Sequence, residues 1–139
     1  MAVLLLDAHD TRITSIKGVL GKCTCVVAEG AQAAIDQLAP QFDWDMVMLD
    51  YTIGTYSERE KRGTGMDVVD WYTEQKEEDR AKVRLFLIHS WDHDKSIEMF
   101  HKLRGAHVPV KEDYMCYIDA GSLGVTIQEL VGLETFFRK

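Results

Sequence analysis

The sequence predicts one α/β domain, a doubly wound parallel sheet of five strands with helices on both faces. Three observations carry that expectation. Apolar runs stop abruptly on polar residues, as in Val3-Leu4-Leu5-Leu6-Asp7 and Trp44-Asp45-Met46-Val47-Met48-Leu49-Asp50. Runs of this kind read as strands buried on both faces of a parallel sheet. Between them lie stretches with apolar residues at helical spacing, and right-handed crossovers distribute such helices over both faces. Finally, no repeat, linker or low-complexity tract interrupts the alternation, so residues 1–139 are expected to form a single domain.

The elements follow in order. Val3–Leu6 is a strand. Asp10 and Thr11 can cap a helix carrying Ile13, Ile16 and Leu20, which Gly18 weakens and Gly21 ends. Cys23–Ala28 is the second strand, with both thiols on one face. Gly30 opens an alanine-rich helix (Ala31, Ala34, Ile35, Leu38) closed before Pro40. After the Trp44–Asp50 strand comes a long loop, Tyr51 to Thr64, and long loops in compact domains are usually functional. A helix is expected from Gly65 to about Glu77, with Met66, Val69 and Tyr72 or Thr73 inward. Val83–Ile88 is the fourth strand, ending at His89-Ser90, and Asp94 can cap a helix carrying Ile97, Phe100 and Leu103. Ala106–Val110 is read as a fifth strand ending at Lys111. Residues 113–121 read as loop, and a last amphipathic helix carries Ile127, Leu130, Val131 and Phe137.

Composition narrows the function classes. A net charge of −7 argues against broad binding to nucleic acid or anionic membrane. No apolar run approaches the ~20 residues of a membrane span. Three cysteines, without a second close pair, fit a reduced, cytoplasmic setting better than a disulfide scaffold or a zinc site.

Ligands of open α/β sheets gather outside the carboxyl ends of the strands. Those ends carry Asp7 with Asp10 just beyond, Asp50, His89-Ser90 and Lys111. Carboxylates gathered around a small pocket repel one another and are relieved by a hard cation such as Mg2+. A hydroxyl and an ammonium opposite them suit the oxygens of a phosphoryl group, and the Asp50 carboxylate suits a nucleophile.

Asp7, Asp50, Ser90 and Lys111 at the ends of strands one, three, four and five resemble the response-regulator receiver domain, a flavodoxin-like fold. The likeness runs over about residues 2 to 111 and is marked in Gly105-Ala106-His107-Val108-Pro109-Val110-Lys111. It implies phosphate acceptance at Asp50 from a histidine kinase, Asp7 in a Mg2+ pocket, Ser90 as switch hydroxyl and Lys111 as the base paired with phosphate. Receivers usually carry two adjacent acids after strand one, whereas Asp7 is followed by Ala8, so Asp10 is expected to substitute. Lys111 is followed by Glu112 rather than proline, and no aromatic precedes it in the strand.

Thr64-Gly65-Met66-Asp67-Val68-Val69-Asp70-Trp71 and His89-Ser90 are also similar to a narrower branch, the cyclic-phosphate-processing receivers. That likeness implies hydrolysis of cyclic phosphate ends, with His89 and His93 as acid–base candidates. The branch's second acid, two residues past Asp50, is here Thr52, which takes that place in the expected metal set of Asp7, Asp10, Asp50 and Thr52.

Each residue also has a structural alternative. His89 and Ser90 can satisfy backbone groups at a strand end, Asp92-His93-Asp94 can be a helix cap, and Asp67 can favour a helix dipole. Three functions follow: a Mg2+-dependent phosphoacceptor, a small metal-dependent phosphoesterase using Asp7, Asp50, His89 and Ser90, and a pseudo-receiver that binds a protein. The expected partner is a histidine kinase or another protein, with a homodimer compatible and nucleic acid expected only as the bearer of a phosphate end. In receivers the docking face is formed by strand four, helix four and strand five, here with Met99, Phe100, Val108 and Val110.

Overall fold

A computed structural model describes residues 1–40, 42–90 and 92–112. Five parallel strands form one sheet: β1 (Ala2–Leu6), β2 (Thr24–Ala28), β3 (Met46–Leu49), β4 (Phe86–Ile88) and β5 (Val110–Glu112). Their order, β2-β1-β3-β4-β5, puts the reversal of winding between β1 and β3. The helices are α1 (Asp10–Leu20), α2 (Ala31–Leu38), a short α3 (Arg59–Arg62), α4 (Gly65–Glu74) and α5 (His93–Gly105). This is the predicted doubly wound α/β sheet. The expected last helix and the loop at 113–121 lie outside the described residues.

Side-chain alternation divides the core into two layers, one per face. Leu4, Leu6, Val47, Leu49, Phe86 and Ile88 pack beneath α2, α4 and α5, against Ala34, Leu38, Val68, Val69, Tyr72, Met99 and Leu103. Val3, Leu5, Met46, Met48 and Leu87 point the other way, toward Ile16 and Leu20 of α1. All four residues of β3 are buried, as its uninterrupted apolar character requires of a central strand. Asp45, which breaks that run on its entry side, accepts from the Ala2 N–H at 2.7 Å and pairs with Arg84 at 3.0 Å. It therefore ties the starts of β1 and β3 to the approach to β4.

Several boundaries differ from the sequence reading. Trp44 and Val83 meet as an isolated bridge rather than as ends of longer strands. Helix α1 begins at Asp10 with His9 as its cap, and Asp92 rather than Asp94 caps α5, accepting from Lys95 N–H at 3.1 Å. The expected fifth strand at 106–110 is displaced, because α5 runs to Gly105 and the chain turns at His107 with φ +59° before pairing. Pairing as a ladder starts at Val110, so Lys111 lies within β5, opposite Leu87. On the face expected for docking, Met99 and Val108 are buried and Phe100 and Val110 half-buried against the core. Cys23 and Cys25 pack partly buried beside the α1 layer, a packing role.

Candidate functional site

The strand register builds the site. Leu5 pairs with Met48 and Leu6 with Leu49, so the next residues, Asp7 and Asp50, stand side by side at the exits of β1 and β3. Leu49 pairs with Ile88, which puts His89 beside Asp50 in the same row. Alternation sends all three side chains to the α1 face, two residues beyond Leu5, Met48 and Leu87. Asp7, Asp50 and His89 each offer an atom within 4.8 Å of the others. The row sits at the switch point between β1 and β3, where open α/β sheets bind ligands.

Arg12 completes the cluster, and sequence reasoning missed it. From the first turn of α1 its guanidinium donates to Asp7 through Nε at 2.5 Å and through Nη2 at 3.1 Å. The same Nη2 donates to Asp50 Oδ2. His89 Nε2 lies 3.3 Å from Asp7 Oδ2, and the His9 N–H donates to Asp7 Oδ1 at 2.9 Å. Asp7 and His89 are fully buried, Asp50 is 2% exposed, and the Arg12 side chain is 11% exposed.

The two carboxylates respond in opposite directions. Burial disfavours charge on Asp7, but hydrogen bonds from His89 and Arg12 outweigh it and hold the carboxyl far below its ordinary range. At Asp50 burial dominates, and with repulsion from Asp7 it raises the carboxyl despite the attraction of His89 and Arg12. Burial likewise works against charge on Arg12, yet its bonds to Asp7 and the field of Asp50 hold the guanidinium more firmly protonated than usual. Asp7 and Arg12 are the fixed pair. Asp50 is the strained acid.

A cleft of about 450 Å3 opens above this row, lined by His9, Arg12, Asp50, Thr52, Gly54, Ser90 and Asp92. Ser90 Oγ accepts from the Asp92 N–H at 3.2 Å, which leaves its proton available to the cleft. The structure thus brings Asp50, Ser90 and Thr52 to one cleft, with Asp7 and His89 beneath. Asp10 and His93 do not line that cleft. Asp10 is exposed and lines a separate groove with Lys17 and Glu29. Lys111 pairs opposite Leu87 and so leaves the sheet on the same face as the row, two residues short of its level. His93, the first residue of α5, is exposed and outside the cleft lining.

The Thr64–Trp71 motif has a structural account. Thr64 and Asp67 form a capping box, with the Asp67 carboxylate accepting from Thr64 N–H at 2.9 Å. Asp67→Ala is expected to cost about 1 kcal/mol of stability, read as a lowered melting temperature. Gly65 donates its N–H to Tyr51 O at 3.0 Å and leaves no room for a side chain beside the Asp50 carbonyl. An isolated antiparallel bridge between Thr52 and Thr64 pinches the long loop at its base. Within that loop Glu58 pairs with Arg62, and Arg62 Nη1 donates to Glu29 O at 2.7 Å.

Comparison with known proteins settles the family. A cyclic-phosphate processing receiver domain matches residues 1–105. The chain belongs to that family. Solved structures agree on the fold. The non-phosphorylated HemR receiver domain of Leptospira biflexa superposes with a TM-score of 0.66 at 14% identity, covering 94% of this chain and 93% of that one. A CheY-like response regulator receiver domain of Methylobacillus flagellatus gives 0.62 at 14% identity, covering 94% and 98%. The phosphorylated cyanobacterial phytochrome response regulator RcpA gives 0.60 at 19% identity, covering 97% and 91%. No curated protein matches the chain.

The buried acids form a cluster of the sort receiver domains use as a metal site, and two carboxylates with an imidazole suit a divalent cation as donors. Yet both Asp7 oxygens and Asp50 Oδ2 already accept from Arg12. A cation seated between the acids would have to displace the guanidinium. As folded, the cluster does not fit Mg2+.

Proposed function

We propose that this receiver domain handles phosphoryl groups in the cleft above the switch point, accepting one on Asp50. The observation that carries the reading is that Asp50 belongs both to the buried ionic row and to the cleft wall. Attack by an Asp50 oxygen forms a new P–O bond as the donor's bond to phosphorus breaks, and the leaving group takes up a proton. Arg12 and the Ser90 hydroxyl line the same cleft and offer N–H and O–H groups to the phosphoryl oxygens. The donor in this reading is a histidine kinase. Incubation with a small acyl phosphate, followed by intact mass, tests it. A labile adduct is expected on the parent chain and not on Asp50→Asn, and equal labelling of both, or of neither, overturns it.

A second reading, opening of a cyclic phosphate ester, is favoured by the family and by His9. This exposed imidazole lies on the cleft wall with Asp50 and Ser90, whereas the sequence candidate His89 is fully buried against Asp7. Water adds to phosphorus, one ring P–O bond breaks, and the departing oxygen is protonated, a step suited to His9. Loss of the cyclic signal of a nucleoside 2′,3′-cyclic phosphate by 31P NMR, with His9→Ala slower, is the expected result. Equal rates for both chains would remove His9 from the reaction.

A further inference from the structure

The disagreement between the acidic row and a metal ion has a specific author in the chain, Arg12. We infer that the Arg12 guanidinium takes the place of a divalent cation, so that this domain binds phosphate in its cleft independently of Mg2+.

Four observations converge. Arg12 bridges both carboxylates, using two of its nitrogens, and so performs the charge neutralisation a bound cation would supply. It does so while lining the cleft, which brings the same positive group to a ligand's oxygens. The residue after Asp7 is Ala8, and the next acid, Asp10, is exposed on a different groove, so the row offers two carboxylates rather than three. Arg12 is also the third residue of α1, where a cation opposes the helix dipole. Its placement there is locally unfavourable and is offset by the acids it reaches. A guanidinium also suits a planar fork of carboxylate and phosphate oxygens, whereas Mg2+ demands near-octahedral oxygen ligands and retains several waters.

The inference extends the phosphoryl-handling reading, but its test does not depend on turnover. Calorimetric titration of Mg2+ into the full chain, with melting curves in millimolar Mg2+ and in EDTA, is expected to show no saturable binding and no change in melting temperature. Inorganic phosphate is expected to raise the melting temperature equally in both buffers. Arg12→Met, which uncovers the acids, is expected to bind Mg2+ at least an order of magnitude more tightly than the parent and to gain a Mg2+-dependent rise in melting temperature. If Arg12→Met does not fold alone, refolding in millimolar Mg2+ gives the same information. Saturable Mg2+ binding by the parent, phosphate stabilisation that requires Mg2+, or an Arg12→Met chain indifferent to the ion overturns the inference. Failure to form an adduct at Asp50 would count against phosphoryl acceptance and leave these titrations as they stand.

Discussion

Asp7→Asn is expected to lower the stability of the fold by about 3 kcal/mol. Asp50→Asn, the same change one strand away, is expected to raise it. Removing one member of a buried, hydrogen-bonded pair leaves the other charge uncompensated. Asp7 is the anchor of Arg12, accepting from it twice, and also meets His89. Its loss sits at the lower end of the usual cost, because Asp50 still answers the guanidinium. At this chain length the change corresponds to a fall of roughly 10 °C in melting temperature. Asp50 differs because burial and the neighbouring Asp7 disfavour its charge more than Arg12 and His89 favour it. An amide there removes the disfavoured charge and keeps the shape.

The pH dependence distinguishes the two acids. Asp7, held below the ordinary value of 3.8, contributes stability that is present above that value and fades as pH falls beneath it. Asp50, held above 3.8, binds its proton in the folded chain before the unfolded chain does, so parent stability rises as pH falls through that window. The advantage of Asp50→Asn is therefore largest near neutrality and shrinks as pH approaches about 4. Denaturant melts of both variants across this range check the pattern. Shifts of the same sign for the two variants at neutral pH would refute it.

Gly65→Ala is expected to be as damaging, for a steric reason. A methyl at this position would lie 2.3 Å from the Asp50 carbonyl oxygen and 3.0 Å from its carbonyl carbon. The Met99 sulfur, 3.3 Å away, can swing aside, but the β3 backbone cannot. Nor can Gly65 retreat freely, since its N–H is bonded to Tyr51 O at 3.0 Å. Overpacking of this sort costs about 1–3 kcal/mol, and the displaced atom belongs to Asp50, so labelling at that residue is expected to fall too. Gly18→Ala is the internal control. Nothing lies within 4 Å of its new methyl, and in the middle of α1 the change is expected to stabilise by about 0.5–1 kcal/mol. A Gly65→Ala chain as stable as Gly18→Ala would show that the close approach to β3 is not a constraint.

The strand exits were legible in the sequence because apolar runs ending on Asp7, Asp50 and His89 mark both the strands and their direction. Alternation then assigns all three to one face, and the register confirms it. Lys111 was harder to place. Its position depends on where α5 ends, and a left-handed residue at His107, which is not glycine, gave no turn signal. Asp10 looked like a ligand by proximity in sequence, but it is the first residue of a helix and points to solvent. Arg12 was invisible for a different reason. A long side chain reaches across several residues, so helical spacing says little about its head group. One signal was present: a cation in a helix's first turn opposes the dipole, and two carboxylates at the neighbouring strand exits call for positive charge.

The Thr52–Thr64 bridge has a consequence for how this domain can vary. By joining the two ends of the loop at its neck, it closes the intervening eleven residues into a loop of their own beyond the strand exit that carries Asp50. Loop-closure entropy grows slowly, about 0.6 kcal/mol for each doubling of length. The turn between Ile53, which is buried in the core, and Arg62, which is bonded to Glu29 O, can therefore be lengthened, shortened or exchanged while the reactive row stays in register. The neck makes this loop the natural place for ligand preference to diverge, or to be engineered, without rebuilding the chemistry beneath it.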